Sequence, residues 1–238
     1  MTTLVPCYKL TSSMQHYKYD GMLTMQDYQT LLTLYTTEKT LQSNRNVVEV
    51  NPDYYSLWND RRKMICLLSD FDYTQELKWL IKVISIQPKS YWTWNHRLWC
   101  LSNIDLTQAW KEEMVLIQHY LTKDPRNFHV WDYRKRILTK HYGDFWTNDL
   151  VLIKEIEFVM IKIKENFSNY SAWHWKSKMI EALFKINCSV VAHITSDMTI
   201  LLNCFYSDPN DQSGWFYFNW LIDFMTLNKI TIDRKSVV

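Results

Sequence analysis

Tryptophan recurs along this chain at nearly constant intervals, and no other feature restricts the fold as strongly. Five tryptophans align, with separations of 36, 37, 42 and 42 residues: Trp58, Trp94, Trp131, Trp173 and Trp215. Six residues before them stand four prolines and one phenylalanine: Pro52, Pro88, Pro125, Phe167 and Pro209. Periods of about 35 to 45 residues are typical of arrays in which each repeat is a pair of helices. The spacing therefore predicts five helix–turn–helix repeats.

The proline column indicates where the first helix of each repeat ends and the second begins. Proline disfavours a helical conformation in the residue before it, so the incoming helix ends there. Polar residues that can cap a new helix follow shortly after: Asp53, Ser90, Asn127, Asn169 and Asp211. Because proline and a polar cap form this turn, it needs no glycine. The chain accordingly has only three glycines in 238 residues.

The second helix of each repeat carries large side chains at regular positions. Four repeats have an aromatic residue three positions before the tryptophan: Tyr55, Tyr91, Phe128 and Tyr170. Together with an apolar residue seven positions after the tryptophan, they fall on one helical face, which we expect to fill the gap between hairpins. The first helices place apolar residues at steps of three and four. The sequence thus predicts an all-α solenoid of antiparallel helical hairpins.

A cation follows the tryptophan by three residues in four of the five repeats: Arg61, Arg97, Arg134 and Lys176. Three residues turn a helix by about 300°, so this cation lies beside the buried face. A charge there requires a partner, and a guanidinium can bind a carboxylate or backbone carbonyls while it covers an aromatic ring. An active site needs its residues only once. The recurrence therefore favours a structural role over anion binding or catalysis.

Composition argues against several classes of function. The net charge is +2 and the basic residues are scattered, so nothing indicates binding to nucleic acid or to a membrane surface. Five widely spaced cysteines without a C-x-x-C favour reduced thiols and a cytoplasmic protein. No histidine has a metal-ligand spacing, and three isolated glycines form no phosphate-binding loop, so we expect no metal or cofactor in this chain. We also expect no membrane span and no signal peptide.

The repeats resemble those of protein prenyltransferase α subunits, which read approximately P-x-N-Y-x-x-W-x-x-R. The resemblance runs from about Asn51 to Leu221, and the segments NFSNYS and DPNDQS are most similar to α subunits of Rab geranylgeranyltransferases. It implies a right-handed superhelical crescent that wraps around a β subunit, and this β subunit carries zinc and most of the prenyl site. It also implies geranylgeranyl diphosphate as donor and, as acceptor, the C-terminal cysteines of a Rab GTPase presented by a Rab escort protein.

The same resemblance assigns three residues to the substrate side. Lys89, in QPKSYW, matches the family's lysine that reaches the prenyl diphosphate, where an ammonium stabilises the charge developing on the leaving group. Tyr91 and His129 match family residues near the substrate cleft. The repeat itself does not require a lysine, because the turn position five residues before the tryptophan varies: Asp53, Lys89, Arg126, Ser168 and Asn210.

We divide the chain into a poorly matched N-terminal segment, residues 1–24, and a single solenoid, residues 25–238. Two departures from the family pattern are Lys176 in the fourth repeat and Phe218 in the fifth, where an arginine is expected. Two alternatives stay open. One is the α subunit shared by farnesyltransferase and type I geranylgeranyltransferase, and the other is a scaffold protein that kept the repeats and lost the transferase.

Overall fold

The protein's structure, a computed structural model, describes residues 24–232 apart from the side chains of Leu106 and Gln108. Within that range the chain forms α-helices, two short 3-10 helices and no strand. It divides into two compact units, one ending at Asp105 and the other beginning at Leu106. The first unit contains α1 (Met25–Glu38), α2 (Leu41–Val50), α3 (Tyr55–Cys66), α4 (Tyr73–Ile86), α5 (Tyr91–Cys100) and the 3-10 helix Leu101–Asn103.

The second unit has the same construction. It contains α6 (Leu106–Lys123), α7 (Phe128–Tyr142), the 3-10 helix Phe145–Thr147, α8 (Asp149–Glu165), α9 (Tyr170–Lys185), α10 (Val191–Ser207) and α11 (Gln212–Asn228). From α2 onward, consecutive helices pack in pairs, and the second helix of each pair carries one of the five tryptophans. The predicted all-α fold of helical hairpins is confirmed.

The chain before the first repeat also contains a helix. α1 begins at Met25, after a capping box formed by Thr24 and Asp27, and packs against α2. The N-terminal segment proposed from the sequence lies outside the described residues except for Thr24, so the division at residue 24 stays a prediction. None of the helices in residues 24–232 combines the length and apolar character that crossing a bilayer requires.

The turns within the pairs are built from side-chain caps, although not all of the predicted caps form. Asn127, Asn169 and Asp211 each accept a hydrogen bond from a backbone N–H in the first turn of the following helix. The predictions for Asp53 and Ser90 are wrong, since α3 and α5 have no side-chain cap. The Ser90 hydroxyl donates instead to the carbonyl of Pro52 in the preceding repeat, at 3.1 Å. This bond links two turns rather than capping one helix.

In four repeats a second side-chain hydrogen bond stabilises the turn just before the cap position. A side-chain oxygen accepts from the backbone N–H two residues later, which forms an Asx turn. The acceptors stand one residue before the proline position: Asn51, Asp124, Asn166 and Asp208. These bonds explain how the turns form tightly without glycine.

Each of the five tryptophans is tied back to its own turn. The indole Nε1–H donates to the carbonyl six residues earlier, at 2.7 to 3.0 Å in every repeat. That carbonyl lies beyond the end of the first helix and has no partner within it. The spacing of the tryptophans does not predict this bond. It explains why the position holds tryptophan rather than another large apolar residue, and why Phe167 can replace proline, since only the backbone oxygen is used.

The tryptophans and the apolar residues seven positions after them form the core between hairpins. Trp58, Trp94, Trp131 and Trp173 are buried, whereas Trp215 is half-buried. Four of the later apolar residues are at most 2% exposed: Ile65, Leu101, Leu138 and Ile180. The fifth, Ile222, is 40% exposed, so this part of the core is less enclosed in the last repeat.

The aromatic column three positions before the tryptophan is exposed, so the prediction that it fills the core is wrong. Tyr55, Tyr91, Phe128 and Tyr170 are 41 to 68% exposed. Each is the first residue of its helix, and helical side chains point toward the helix N-terminus. These rings therefore extend over the turn into solvent instead of between the helices.

Candidate functional site

A column of buried carboxylates, not predicted from the sequence, makes many of the polar contacts of the core. The acids stand eighteen residues before the tryptophans of the last four repeats: Glu76, Glu113, Glu155 and Asp197. Each lies on the first helix of its repeat and is at most 4% exposed. They recur at the tryptophan intervals, so the sequence did contain a signal for them.

In the first unit, Glu76 binds the cation of the preceding repeat. Arg61 donates to its two oxygens through Nε and Nη2, each at 2.6 Å, and the guanidinium carbon lies 4.2 Å from the centre of the Trp79 ring. His96 Nε2 lies 2.9 Å from the same carboxylate. Burial alone would raise the pKa of Glu76, but the hydrogen bonds from Arg61 and His96 outweigh it and lower that pKa. Glu76 is therefore a charged group fixed from two sides.

The second unit repeats this arrangement. Arg134 donates to the two oxygens of Glu155 at 2.8 and 2.6 Å, and its guanidinium carbon lies 3.6 Å from the centre of the Phe158 ring. Each acid also receives a hydrogen bond from the residue two positions after the tryptophan of its own repeat: His96, Tyr133, Trp175 and Tyr217. One carboxylate thus holds the two helices of its repeat together.

The lysine of the fourth repeat keeps the contact that arginine makes elsewhere. Lys176 Nζ contacts the Asp197 carboxylate, which also accepts the Tyr217 hydroxyl at 2.5 Å. Burial raises the pKa of Asp197 and lowers that of Lys176, although the charge of each partner opposes the shift. Arg97, in the second repeat, donates to the carbonyl of Leu77 at 2.8 Å. In these contacts the recurrent cation holds helices together.

One buried group has the composition of a metal site but lacks available ligand atoms. Glu76, His96 and Cys100 hold their potential ligand atoms within 4.8 Å of one another. Arg61 occupies both oxygens of Glu76, while His96 Nδ1 accepts from Arg62 Nε at 3.3 Å. Burial raises the pKa of the Cys100 thiol and lowers the pKa of His96 to about 4, so the thiol stays protonated and the ring neutral. Glu76 and His96 are hydrogen-bonded to each other and to the neighbouring arginines, and the three residues do not fit a metal ion.

Two of the predicted site residues lie at the turn before α5. Lys89 is exposed within the turn, and Tyr91 begins the helix with 41% of its surface exposed. The Tyr91 ring meets Trp92 edge-on at 5.0 Å between centroids, and Trp92 lies 5.7 Å from Tyr55 of the preceding repeat. The Tyr91 hydroxyl accepts from Asn95 Nδ2 at 3.5 Å. Tyr91 is thus a surface residue, not the core residue that its column suggested.

The third predicted site residue, His129, lies in the second unit. It is the second residue of α7 and is half-buried. Its ring lies 4.0 Å from the Phe128 ring, and its backbone N–H donates to Asn127 at 3.1 Å. The structure therefore places Lys89 and Tyr91 on one turn of the first unit and His129 at a corresponding helix start in the second unit.

The turn position of Lys89 is exposed in every repeat, whichever residue occupies it: Asp53, Lys89, Arg126, Ser168 and Asn210. At this position a side chain is exposed to solvent between a tight turn and the start of a helix. An ammonium and a phenol hydroxyl two residues apart can hold an anionic group of a ligand or partner. The turn before α5 combines a lysine with a tyrosine two residues later, a pair that the other four turns lack.

Comparison with known proteins assigns these repeats to a family. The model of the protein prenyltransferase alpha subunit repeat matches residues 37–68, 73–104, 110–141 and 152–183. These segments contain the first four tryptophans, and the fifth repeat lies outside the match. A structure described as Candida albicans protein geranylgeranyltransferase-I complexed with GGPP is similar, with a TM-score of 0.66 and 22% identity over 87% of this chain and 70% of that chain. At this identity the likeness shows the fold alone.

Related sequences agree with the family model. The geranylgeranyl transferase type-2 subunit alpha of Saccharomyces cerevisiae is 33% identical over 211 residues, which cover 85% of this chain and 62% of that protein. The human protein of the same name is 33% identical over 199 residues, which cover 78% of this chain and 34% of that protein. The chain therefore spans less than two thirds of the length of these relatives. Since the family model matches more than half of its residues, the chain belongs to the protein prenyltransferase alpha subunit repeat family.

Proposed function

We propose that this chain is the α subunit of a Rab geranylgeranyltransferase. With a zinc-bearing β subunit, it transfers the geranylgeranyl group from geranylgeranyl diphosphate to C-terminal cysteines of Rab proteins that an escort protein presents. The observation that carries the proposal is the 33% identity, over 85% of the chain, to the yeast geranylgeranyl transferase type-2 subunit alpha. The similar solved structure is a type I enzyme, and it supports the fold rather than the choice of type.

In this proposal the chain frames the site and its partner performs most of the chemistry. The buried acids and cations hold helices to one another, which leaves the exposed turns for substrate contact. We assign zinc, the prenyl pocket and most diphosphate-binding cations to the β subunit. Lys89 contacts the diphosphate from the α side, where its ammonium stabilises the negative charge that builds as the C–O bond breaks. Tyr91 and His129 contribute to the substrate cleft.

The departure at Lys176 does not favour the scaffold alternative. Its ammonium still binds a buried carboxylate, so replacing arginine with lysine preserved the contact between helices. Phe218, the second departure, packs against the rings of Phe205 and Trp215 at 5.8 and 6.2 Å between centroids. Both substitutions thus concern the packing of helices within the second unit.

We place the enzyme in the cytoplasm. The cysteines within the described range are all free thiols: Cys66, Cys100, Cys188 and Cys204. Free thiols persist in reducing compartments. This placement agrees with a substrate that is a GTPase carrying unmodified C-terminal cysteines.

The test is to capture the tagged full chain from a native extract and identify the β chain that accompanies it. A type II β subunit supports the proposal. A β subunit of farnesyltransferase or of type I geranylgeranyltransferase would replace the proposal with the first alternative. A stable monomer that recruits no prenyltransferase β subunit would favour the scaffold.

A further inference from the structure

Arg62 differs from the buried arginines of the core. It follows the first tryptophan by four residues and is half-buried on α3. Its Nη2 donates to Asn95 Oδ1 at 2.7 Å and its Nε to His96 Nδ1 at 3.3 Å, both on α5. The guanidinium carbon lies 5.5 Å from the centre of the Trp99 ring. The side chain is therefore fixed in one orientation by neutral groups.

No carboxylate neutralises this cation among residues 24–232. Arg61 and Arg134 each hold a buried acid at 2.6 Å, whereas Arg62 has no ion pair with any described residue. Burial lowers the pKa of Arg62, because its charged form has lost solvation without gaining a counter-ion. Its Nη1 makes no hydrogen bond within the described range, and this atom is not fully buried. The guanidinium therefore offers N–H donors to an anion that comes from outside.

The surroundings of Arg62 are those of a protein-binding surface. Tyr55, Asn59 and Arg62 follow one another at steps of four and three, so they share one face of α3. The neighbouring face of α5 presents Tyr91, 41% exposed, whose hydroxyl is joined to Arg62 through Asn95. Exposed aromatic rings around a fixed arginine have the composition of interface hot spots, in which surrounding contacts exclude water from a central charge.

We propose that Arg62 anchors the heterodimer by binding a carboxylate of the partner subunit. The inference rests on the proposed function and goes beyond it, because it assigns an assembly role to a residue outside the substrate turn. The surroundings favour a protein carboxylate over the prenyl diphosphate, because exposed rings beside a fixed arginine, here Tyr55 at 54% and Tyr91 at 41%, are typical of a protein interface. The planar guanidinium fork matches a carboxylate in a bidentate manner.

The experiment measures dissociation of the assembled heterodimer, with labelled β subunit chased by unlabelled β subunit. Arg62→Gln should accelerate dissociation about 30-fold or more, as expected when one member of a buried charge pair is removed. Arg62→Lys should fall between Arg62→Gln and the wild type, because an ammonium keeps the charge but not the fork. Lys63→Gln is the matched control: it removes the adjacent cation, whose side chain is 79% exposed, and should leave the rate unchanged.

A double-mutant series identifies the partner group. Each acidic residue of the β subunit's contact surface is replaced by alanine, alone and together with Arg62→Gln. One of these replacements should match the effect of Arg62→Gln and add nothing to it, as expected of two groups that form one pair. The proposal is overturned if no acid couples to Arg62, or if Arg62→Gln dissociates as slowly as Lys63→Gln.

Two further outcomes are distinguished by the same proteins. If Arg62→Gln assembles normally but binds geranylgeranyl diphosphate more weakly, the anion is the diphosphate and the proposal is wrong. If the wild-type chain forms no heterodimer with a prenyltransferase β subunit, the proposed function itself fails and the anchor fails with it. A normal wild-type heterodimer with an unaffected Arg62→Gln variant overturns only the anchor.

Discussion

At the scale of single residues, the recurrent cation and the buried acid act as a pair. Glu155 illustrates the arrangement, since it binds Arg134 through both oxygens and accepts from Trp175 at 3.2 Å. Neither charged group reaches much solvent, with 4% and 5% of the two side chains exposed. Removing one partner therefore leaves the other charge buried without a counter-ion. This loss of stability is larger than the net stabilisation that the intact pair provides.

Glu155→Gln should accordingly destabilise the protein by about 3 to 5 kcal/mol, because it leaves the Arg134 charge buried without a counter-ion. Asp132→Asn is the matched control, since Asp132 and Arg136 form an exposed pair at 2.7 Å on α7. The control should change the free energy of unfolding by less than about 1 kcal/mol. Urea denaturation followed by far-UV circular dichroism measures both. Equal, small effects would contradict a structural role for the acid column.

His96 makes stability depend on pH. Burial lowers its pKa from the ordinary 6.5 to about 4. Between these values the unfolded chain binds a proton at this ring and the folded chain does not, so acid favours unfolding. The stability that the neutral His96 ring gives to the folded state is fully present above pH 6.5 and is lost as the pH falls through about 4. The free energy of unfolding should therefore decrease by up to about 1.4 kcal/mol per pH unit in this window.

The variant His96→Gln isolates this effect from other titrating groups. It lacks the proton-binding ring, so its free energy of unfolding should vary less between pH 6.5 and 4.5 than that of the wild type. Urea denaturation at several pH values gives the two slopes. Parallel slopes would show that His96 is already accessible to protons in the folded protein.

Lys89 is the residue whose role is chemical rather than structural in the proposed function. Its turn position is exposed in every repeat and holds five different residue types, so Lys89→Ala should change stability by no more than about 0.5 kcal/mol. In the heterodimer kcat should fall about 10-fold, and more than the affinity for geranylgeranyl diphosphate, because the contact strengthens as charge builds on the leaving group. Lys78→Ala, at an exposed lysine on α4, is the control. Identical single-turnover rates for the two variants would contradict a role for Lys89 in the transfer reaction.

At the scale of the helices, the tryptophan column joins each second helix to its own turn and to the core. Trp131 is 6% exposed and donates to the Pro125 carbonyl at 2.9 Å. Trp131→Ala should therefore cost about 3 to 5 kcal/mol, as a large-to-small change in a core. Phe128→Ala, three residues earlier on the same helix, should cost no more than about 0.5 kcal/mol, because that ring is 68% exposed. Thermal or urea unfolding compares them, and similar costs would contradict the separation between buried and exposed columns.

These helices show what the sequence could predict and what it could not. Proline and capping residues act locally, so the helix pairs and most turns followed from spacing alone. The acid column was missed because Glu76 and its counterparts lie on the first helix, far in sequence from the cations that they bind. Tyr91 and its column were misplaced because helical periodicity gives the direction of a side chain around the axis. It does not tell whether a neighbouring helix extends far enough to cover the first turn.

At the scale of the whole molecule, the buried residues stabilise the fold, whereas the residues that we assign to function lie at or near the surface. Most of the residues that recur in the repeats are buried in the core. They are largely predictable, because the two helices of each repeat pack in the same way. The turn that carries Lys89 was recognised only through a resemblance, since a single exposed lysine has no periodic signal. Arg62 had no signal in the sequence at all, because its lack of an acid partner becomes visible only when the helices are packed.

In the proposed function, transfer of the geranylgeranyl group requires the assembled heterodimer, and neither subunit performs it alone. The measurement is single-turnover transfer of labelled geranylgeranyl from its diphosphate to a Rab–escort complex, by the purified heterodimer and by the β subunit alone. We expect the heterodimer to modify the C-terminal cysteines of the Rab protein, and the β subunit alone to show no transfer. Transfer at the same rate without this chain, or no transfer by a stable heterodimer, would contradict its assignment as the α subunit of a Rab geranylgeranyltransferase.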